Sequence, residues 1–596
     1  MRNIIILFIS ILFALPCKAV DLEQLAKKVS EKSKGYVDIE DYKGSVYLQG
    51  LSAMSEASRD GYFRTTLTSY LNRFAEKELK GYGSFHSYST GGTALAEQAW
   101  LHHNDKYGSI ARQTAADMWQ QLHHTADGML LPRWQEIMEH NAVFADCAFP
   151  VCSYYVYAGL LENKTEFLDA AARMALAIYN NLYDSETGLI HQARAIAKLQ
   201  RGELSQDCWS RGNGWLAMSL AYLLDNLPKT NKYRSEVENV SRKFFTAVMR
   251  YQDANGMWHQ EMTWTDSYPE VSGSALLLYG IASAIQSKVL PLSARKSFEK
   301  CIRGMLRYID NDGNIGNTCS GCLAYLNATK ADYASHQYYT NEAHAFGTTL
   351  LAIAKAINLG YRKISNVRDM GKELQGRIPR CYARCITERK NDFAWENDKI
   401  AFRIYSHIVP NKGFSGVDLW TKSVDYPIVD KWYAENAKED GAYHIDKGEG
   451  YDFYHMGANR GIGGTGVVIG NTLAVADTYS DCLIVENSPE RVEFVISYPP
   501  YPAGEDTIYE TKRCWMELGT YFYNVESTVR TASGKDLIYA VGLTDFGHAE
   551  VTCNQSDGYL SLLEHINDEN GTIGSAIIAS PQSVVTYRKI DRDHLM

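Results

Sequence analysis

The chain has 596 residues, 45% of them hydrophobic and 22% charged, with a formal net charge of −10. The length allows roughly two to four domains, and the negative charge excludes a general nucleic-acid binder, so an acidic ligand has to be held by a local basic site. Twelve cysteines are too few for a fold of this size that depends on disulfides.

An apolar run over residues 4–15 follows Arg2 and precedes a Cys-Lys-Ala sequence whose small residues suit a signal peptidase. Residues 1–19 are therefore predicted to be a cleaved secretory signal peptide, and the protein to be periplasmic or secreted. The run is too short to cross a bilayer, so no membrane span is expected.

Residues 20–361 contain two kinds of predicted helix. Segments that are apolar on nearly all sides, as buried helices are, are Gly92 to His103, Ala148 to Leu161, Leu216 to Leu227, Ser274 to Gln286 and Phe346 to Leu359. Amphipathic segments with a charged face lie between them, for example Tyr107 to Leu122, Lys164 to Leu182, Lys232 to Tyr251 and Ala294 to Ile309. The alternation recurs at intervals of roughly 55 to 75 residues, which indicates helical hairpins with one inner and one outer helix.

Five such hairpins, with a sixth from residues 41–80, predict an (α/α)6 toroid whose inner helices form the wall of a cup. The loops that lead into the inner helices then meet at one rim, and they carry polar and aromatic residues. An open helical solenoid is the alternative, but it requires a terminal cap and more similar repeats.

From residue 392 the sequence alternates apolar and polar residues and is rich in β-branched ones, as in AFRIYSHIV and RVEFVISY. This pattern predicts an all-β, sandwich-like domain over residues 392–596. Residues 362–391 between the two parts contain nine Lys or Arg residues. They are predicted to be a linker, used either as a docking strip or simply as a solvated basic segment.

The cysteines offer one possible metal site. Cys319-Ser-Gly-Cys322 and Cys381-Tyr-Ala-Arg-Cys385 have spacings compatible with zinc. In an exported protein, disulfides or buried thiols are favoured instead, and no metal or other cofactor is predicted.

The sequence DCWSRGNGW, residues 207–215, places an arginine between two tryptophans and next to a Gly-Asn-Gly turn. Indole faces stack on sugar rings, and the planar guanidinium of Arg211 matches a carboxylate, so the segment indicates a uronic acid site formed with Trp209 and Trp215. The alternative is that these side chains only pack a corner.

Asp146 directly precedes a predicted inner helix, among aromatic and apolar neighbours. Such surroundings raise the pKa of a carboxyl group and keep it protonated, as a general acid requires. Capping of the helix N-terminus is the alternative role.

Three segments resemble, in the same order, the motifs of the unsaturated glucuronyl and rhamnogalacturonyl hydrolases, glycoside hydrolase families 88 and 105. They are HNAVFADCAF from residue 140, WSRGNGW from residue 209 and EVSGSALLLYG from residue 270. The resemblance implies a six-hairpin toroid that removes a terminal 4,5-unsaturated uronic acid from an oligosaccharide. An aspartic acid there protonates C4 of the vinyl ether, water adds at C5, and the hemiketal collapses; ordinary glycosidases use two carboxylates instead.

In this resemblance Asp146 matches the family acid and Arg211 is the candidate for the uronate carboxylate, with Trp209, Trp215 and Trp134 on sugar faces. One departure is Ser87, which stands where a second family aspartate is expected. Four residues are candidates to substitute for this aspartate or to bind substrate: His86, Tyr88, His140 and His191. A purely structural role is the alternative for each histidine.

The β domain contains a rival cluster, with His444, Asp446, Glu449 and Asp452 in a turn-rich stretch. It is similar to the β domain, of unassigned function, that accompanies the toroid in some polysaccharide-degrading proteins. Such a cluster suits calcium or an elimination with His444 or a tyrosine as base. Solvated turn charges are the alternative.

The leading hypothesis is an enzyme that hydrolyses a terminal unsaturated uronic acid from an acidic oligosaccharide, with Asp146 as proton donor. A dehydratase or lyase that forms the double bond from a saturated uronate is the second hypothesis, because Ser87 is not an acid. A non-catalytic uronate-binding protein is the third. Nucleic acid is not an expected partner.

Overall fold

A computed structural model describes residues 17–196, 203–324, 328–368, 376–406, 414–567 and 571–596. The chain divides into two compact units, residues 1–375 and residues 376–596. Most of the predicted signal peptide lies outside the described residues. Within the described ranges, no helix combines the length and apolarity that crossing a membrane requires.

The first unit is helical. Its helices are α1 (Leu22–Ser33), α2 (Tyr42–Ala57), α3 (Tyr62–Ala75), α4 (Gly92–His102), α5 (Asp105–Gln121), α6 (Gln135–His140), α7 (Ala148–Glu162), α8 (Thr165–Leu182), α9 (Ser210–Asn226), α10 (Arg234–Arg250), α11 (Val271–Gln286), α12 (Arg295–Met305), α13 (Lys330–Ser335) and α14 (Ala343–Asn358).

Six of these helices, α2, α4, α7, α9, α11 and α14, are buried on nearly all sides and form a closed ring. Each packs against the next, and α14 packs back against α2. The helices α3, α5, α8, α10 and α12 each cover the inner helix that precedes them. The ring confirms the predicted (α/α)6 toroid and excludes an open solenoid.

The sixth outer position is taken by α1, which packs against α14. The N-terminal helix therefore completes the last hairpin, a pairing between the two ends of the unit that local sequence patterns do not encode.

Short strands complete this unit: β1 (Cys17–Asp21), β2 (His123–His124), β3 (Leu130–Leu131), β4 (Val143–Phe144), β5 (Ala193–Arg194), β6 (Thr318–Cys319), β7 (Tyr338–Tyr339) and β8 (Lys363–Arg368). Strand β1 pairs antiparallel with β8. Residues at the end of the predicted signal peptide and at the start of the predicted linker thus lie in one small sheet.

The described residues of the second unit form strands and one further α-helix, α15 (Val429–Asn436). The strands are β9 (Tyr382–Ile386), β10 (Asp392–Glu396), β11 (Ile400–Ile404), β12 (Asp418–Lys422), β13 (Gly450–Tyr451), β14 (Ile462–Ile469), β15 (Thr472–Ala474), β16 (Asp481–Asn487), β17 (Arg491–Ser497), β18 (Tyr501–Ala503), β19 (Asp506–Glu517), β20 (Asn524–Thr531), β21 (Tyr539–Thr544), β22 (Glu550–Asn554), β23 (Tyr559–Asn567), β24 (Gly571–Ile578), β25 (Arg588–Ile590) and β26 (Asp593–Leu595).

These strands form antiparallel sheets, which confirms the all-β prediction. One sheet has the order β13-β12-β11-β10-β9, a second β15-β14-β21-β26-β25, a third β16-β17-β19-β18 with β20 beside β19, and a fourth β22-β23-β24. The first and third sheets share a core in which Phe393 contacts Phe494, with ring centroids 4.6 Å apart. Sheet against sheet is the sandwich-like packing that the alternating pattern predicts.

Candidate active site

The N-terminal ends of neighbouring inner helices meet at one rim of the toroid. The Tyr42 hydroxyl of α2 lies 2.6 Å from His344 Nε2 of α14, and Arg211 Nη1 of α9 donates to Ser272 Oγ of α11 at 3.0 Å. Each helix N-terminus carries a partial positive charge, and the Arg211 side chain adds a full one. The rim is therefore suited to an anionic ligand.

Asp146 lies on this rim, in a short turn (Ala145–Cys147) just before α7. It is half-buried, and the Gln192 side-chain amide donates to its Oδ2. Burial raises the pKa of Asp146, although the Gln192 amide and the charge of Arg211 oppose the shift. No side chain caps α7, so the capping role is not realised and Asp146 is held as a carboxyl group that favours its protonated form.

Arg211 is fully buried in the first turn of α9. Its Nη1 also donates to the Cys319 carbonyl at 2.7 Å and lies 3.9 Å from Glu270 Oε1, while its Nε and Nη2 have no hydrogen-bond partner. Burying a guanidinium with two unpaired donor nitrogens costs free energy unless an acceptor forms hydrogen bonds with them.

The Gly-Asn-Gly segment is not a turn before a helix, because α9 already begins at Ser210. A Cβ on Gly214 would lie 2.8 Å from Leu276 Cβ, and a Cβ on Gly273 would lie 2.7 Å from the backbone nitrogen of Arg211. The glycines therefore let α9 and α11 approach closely, which places Arg211 beside the cap of α11.

The two tryptophans of this segment do not expose their faces. Trp215 is fully buried and stacked on Phe149 with ring centroids 4.4 Å apart, and Trp209 is buried under the Arg211 guanidinium at 4.6 Å. The prediction that these indoles stack on sugar rings is not supported by their burial. They pack the wall behind the rim because the helical geometry turns them inward.

Sequence analysis missed a hydrogen-bonded chain beside Asp146. Glu342 Oε2 lies 2.7 Å from His344 Nδ1, and His344 Nε2 meets the Tyr42 hydroxyl. Burial lowers the pKa of His344 to about 4, with the Arg211 charge acting in the same direction. The available signal was Glu-Ala-His at the start of the last apolar segment, because a Glu caps α14 there.

Ser87 is buried in a short helical turn, His86–Thr90, just before α4. Tyr88 beside it is also buried, and burial raises its pKa well above the ordinary value, with further contributions from Tyr42 and Asp146. His86 lies 3.5 Å from Asp117 of the outer helix α5. The structure thus groups Tyr88, and not His86, with Asp146.

The remaining predicted residues of the first unit have other contacts. Trp134 is half-buried, edge-on to Phe144 at 5.6 Å. His140 is exposed at the end of α6, 3.9 Å from Glu139. His191 has a buried Nδ1 without a hydrogen-bond partner and lies near Asp207.

The structure divides the predicted cluster of the β unit. His444 Nδ1 lies 2.8 Å from the Asp452 carbonyl and 3.6 Å from Asp452 Oδ2. Glu449 instead pairs with Lys431 at 2.7 Å, and Asp446 accepts from backbone N–H groups of its own turn. The last two acids hold local structure, and only His444 and Asp452 come together.

The cysteines among the described residues are all unpaired thiols. Burial raises the pKa of Cys322 to about 12 and that of Cys381 to about 12. Buried, protonated thiols of this kind fit a packing role.

The sequence matches the model of Glycosyl Hydrolase Family 88 over residues 21–359. This match covers more than half of the chain, so the chain belongs to Glycosyl Hydrolase Family 88. Residues 362–595 match a domain of unknown function, DUF4861.

Two relatives illustrate the similarity. The chain is 36% identical over 230 residues to the uncharacterized protein P7 of Formosa agariphila, which is 37% of this chain and 56% of that protein's length. It is 25% identical over 299 residues to the unsaturated rhamnogalacturonyl hydrolase YesR of Bacillus subtilis, covering 48% of this chain and 81% of YesR.

A solved glycoside hydrolase of family 105 from C. acetobutylicum has the same fold as the first unit. It is 21% identical, with a TM-score of 0.50, and the alignment covers 56% of this chain and 99% of that one.

Proposed function

We propose that this protein hydrolyses a terminal 4,5-unsaturated uronic acid from an acidic oligosaccharide, with Asp146 as the proton donor. The observation that carries the proposal is Asp146 itself, a half-buried carboxyl group with a raised pKa on a rim of helix N-termini. Membership of Glycosyl Hydrolase Family 88 supports the reaction class.

The residues around Asp146 have separate roles in this scheme. Protonation of C4 places positive charge on C5 and the ring oxygen, and water then adds at C5 and returns a proton to the Asp146 carboxylate. The hemiketal opens by breaking the bond between C5 and the ring oxygen, and the hemiacetal left at C1 breaks down to an aldehyde and releases the next sugar. The proton comes from Asp146, which Gln192 orients. The substrate carboxylate is attracted by Arg211, whose free donors and charge lie behind the rim.

The test is an ultraviolet assay on unsaturated and saturated uronate oligosaccharides. The conjugated double bond absorbs, so hydrolysis makes the signal fall, and Asp146→Asn should abolish this fall. Asp169→Asn is the matched control, since Asp169 pairs with Lys232 on the outer surface. Full turnover by Asp146→Asn on unsaturated substrates would overturn the assignment.

A second candidate function, a dehydratase or lyase, is favoured by the Tyr42–His344–Glu342 chain. This chain supplies a proton acceptor where Ser87 supplies no carboxylate. On a saturated terminal uronate the ultraviolet signal would then rise, and Tyr42→Phe would abolish the rise. If neither signal changes while uronate oligomers still bind, the third hypothesis, a binding protein, holds instead.

A further inference from the structure

A separate polar cluster in the β unit combines two histidines with one buried aspartate. One ring nitrogen of His444, one of His455 and a carboxylate oxygen of Asp452 all lie within 4.8 Å of one another. Both histidines are exposed, whereas Asp452 is 1% exposed. The cluster therefore has one buried ligand group and two exposed ones.

Asp452 is not fully satisfied by its protein contacts. Its Oδ2 accepts from Arg403 Nη2 at 3.0 Å, but its Oδ1 is buried without a hydrogen-bond partner. An unpaired carboxylate oxygen in a buried position is costly, so a ligand that it binds would be stabilised there.

Acidic side chains outnumber basic ones around Asp452. Arg403 is shared by Asp418 and Asp452, and the neighbouring Arg389 pairs with Asp392. Three buried acidic side chains thus share two guanidinium groups. A cation on the histidine side of Asp452 would balance the group.

We propose that His444, Asp452 and His455 bind a divalent transition-metal ion of the zinc class. Two imidazoles and one carboxylate are a common set of three protein ligands that leaves a coordination position open. Hard cations such as Ca²⁺ prefer six or more oxygen ligands, which this cluster does not offer. The contact of His444 Nδ1 with the Asp452 carbonyl orients the imidazole in the way that hydrogen bonds orient metal-binding histidines.

The geometry needs only a small adjustment to reach coordination. Ligand bonds to zinc of about 2.0–2.2 Å bring ligand atoms to within roughly 3.5 Å of one another. The ligand atoms of His444, Asp452 and His455 already lie within 4.8 Å of one another. Rotation of the exposed His455 ring closes the remainder.

The experiment is calorimetric titration of the metal-free, full-length protein with Zn²⁺, repeated with Ca²⁺. We expect one high-affinity Zn²⁺ per chain, no comparable Ca²⁺ binding, and at least a tenfold weaker Zn²⁺ affinity in both His444→Ala and His455→Ala. The matched control is His103→Asn, which removes an exposed histidine of the first unit at a residue with φ of 49°.

Co²⁺ provides a second, spectroscopic readout that separates this cluster from the free cysteines. Nitrogen and oxygen ligands give visible d–d bands without a thiolate-to-cobalt charge-transfer band, and these d–d bands should vanish in His455→Ala. No Zn²⁺ binding, a charge-transfer band, or unchanged affinity in both histidine variants would overturn the site. Because none of these readouts depends on turnover, they are independent of the proposed hydrolase function.

Discussion

The two polar clusters of this protein have opposite electrostatic character. On the rim of the toroid the acids Glu270 and Glu342 cap helices α11 and α14, and Arg211 keeps two free donors. In the β unit, Arg403 is shared by two buried aspartates, and Asp452 keeps a free acceptor.

This difference indicates different ligands. Helix N-termini offset the negative charge of capping acids, so the positive charge of the buried Arg211 still attracts an anion to the rim. Strands have only small net dipoles, and the acids of the β unit must therefore find their counter-charges among side chains or bound cations. The first cluster suits an acidic sugar and the second a metal ion.

The largest expected effect is a difference in kcat between a variant of the rim and a variant of the β cluster. Asp146→Asn should lower kcat by about 10²–10⁴-fold on an unsaturated uronate oligosaccharide, because it removes the general acid. His455→Ala should leave kcat within about twofold, since the β cluster takes no part in this step. Steady-state rates from the ultraviolet assay measure both, and a large loss in His455→Ala would break the contrast.

The second prediction compares the stability of the two arginine sites. Arg403→Met leaves Asp418 and Asp452 buried without a counter-charge and should lower the unfolding free energy by about 3–5 kcal/mol. Arg211→Met should cost less, about 1–3 kcal/mol, because Glu270 keeps donors from the backbone of α11.

Segment-resolved hydrogen exchange measures the unfolding free energy of the two variants, since it reports on each unit separately. A larger loss in Arg211→Met than in Arg403→Met would contradict the charge contrast.

The third prediction concerns pH and the toroid. The pKa of His344 is about 4 in the folded protein, against an ordinary 6.5. As the pH falls, the unfolded chain therefore binds a proton on His344 before the folded protein does. The resulting stabilisation of the folded state is present above pH 6.5 and is lost as the pH falls toward 4. The full change is about 3 kcal/mol, at about 1.4 kcal/mol per pKa unit.

His344→Gln removes the titrating group and should flatten the stability profile of the first unit between pH 6.5 and 4. Denaturant unfolding of both proteins across this range provides the measurement. Parallel profiles for wild type and His344→Gln would show that His344 is not held neutral by burial.

The smallest expected effect tests whether Asp446 belongs to the proposed metal site of the β unit. Asp446→Ala removes acceptors for two backbone N–H groups of an exposed turn and should cost less than about 1 kcal/mol. Its Zn²⁺ affinity should equal that of the wild type, which calorimetry checks. A tenfold loss would place Asp446 among the metal ligands.

Much of the fold could be predicted from the sequence. The apolar segments correspond to the inner helices because a helix buried on all sides must be apolar on all sides. The order of three motifs indicated the family. The role of α1 as the sixth outer helix was not predictable, since it depends on contact between the two ends of the first unit.

The candidate site was predicted less completely. Asp146 was found because its apolar neighbours are adjacent in sequence. Trp209 and Trp215 were assigned to sugar stacking, but both side chains are buried at the start of α9. Tyr42 and His344 were missed, because α2 and α14 are far apart in sequence and adjacent in space.

By itself, the sequence determined the helical and β halves and the family, and it singled out Asp146 as the candidate acid, because periodicity and short motifs are local properties. Only the tertiary structure decided which polar and ionisable side chains lie close enough to pair. Ring closure joins Tyr42 to His344, and strand pairing places Arg403 opposite Asp418. These contacts depend on distances between segments, which local patterns do not contain.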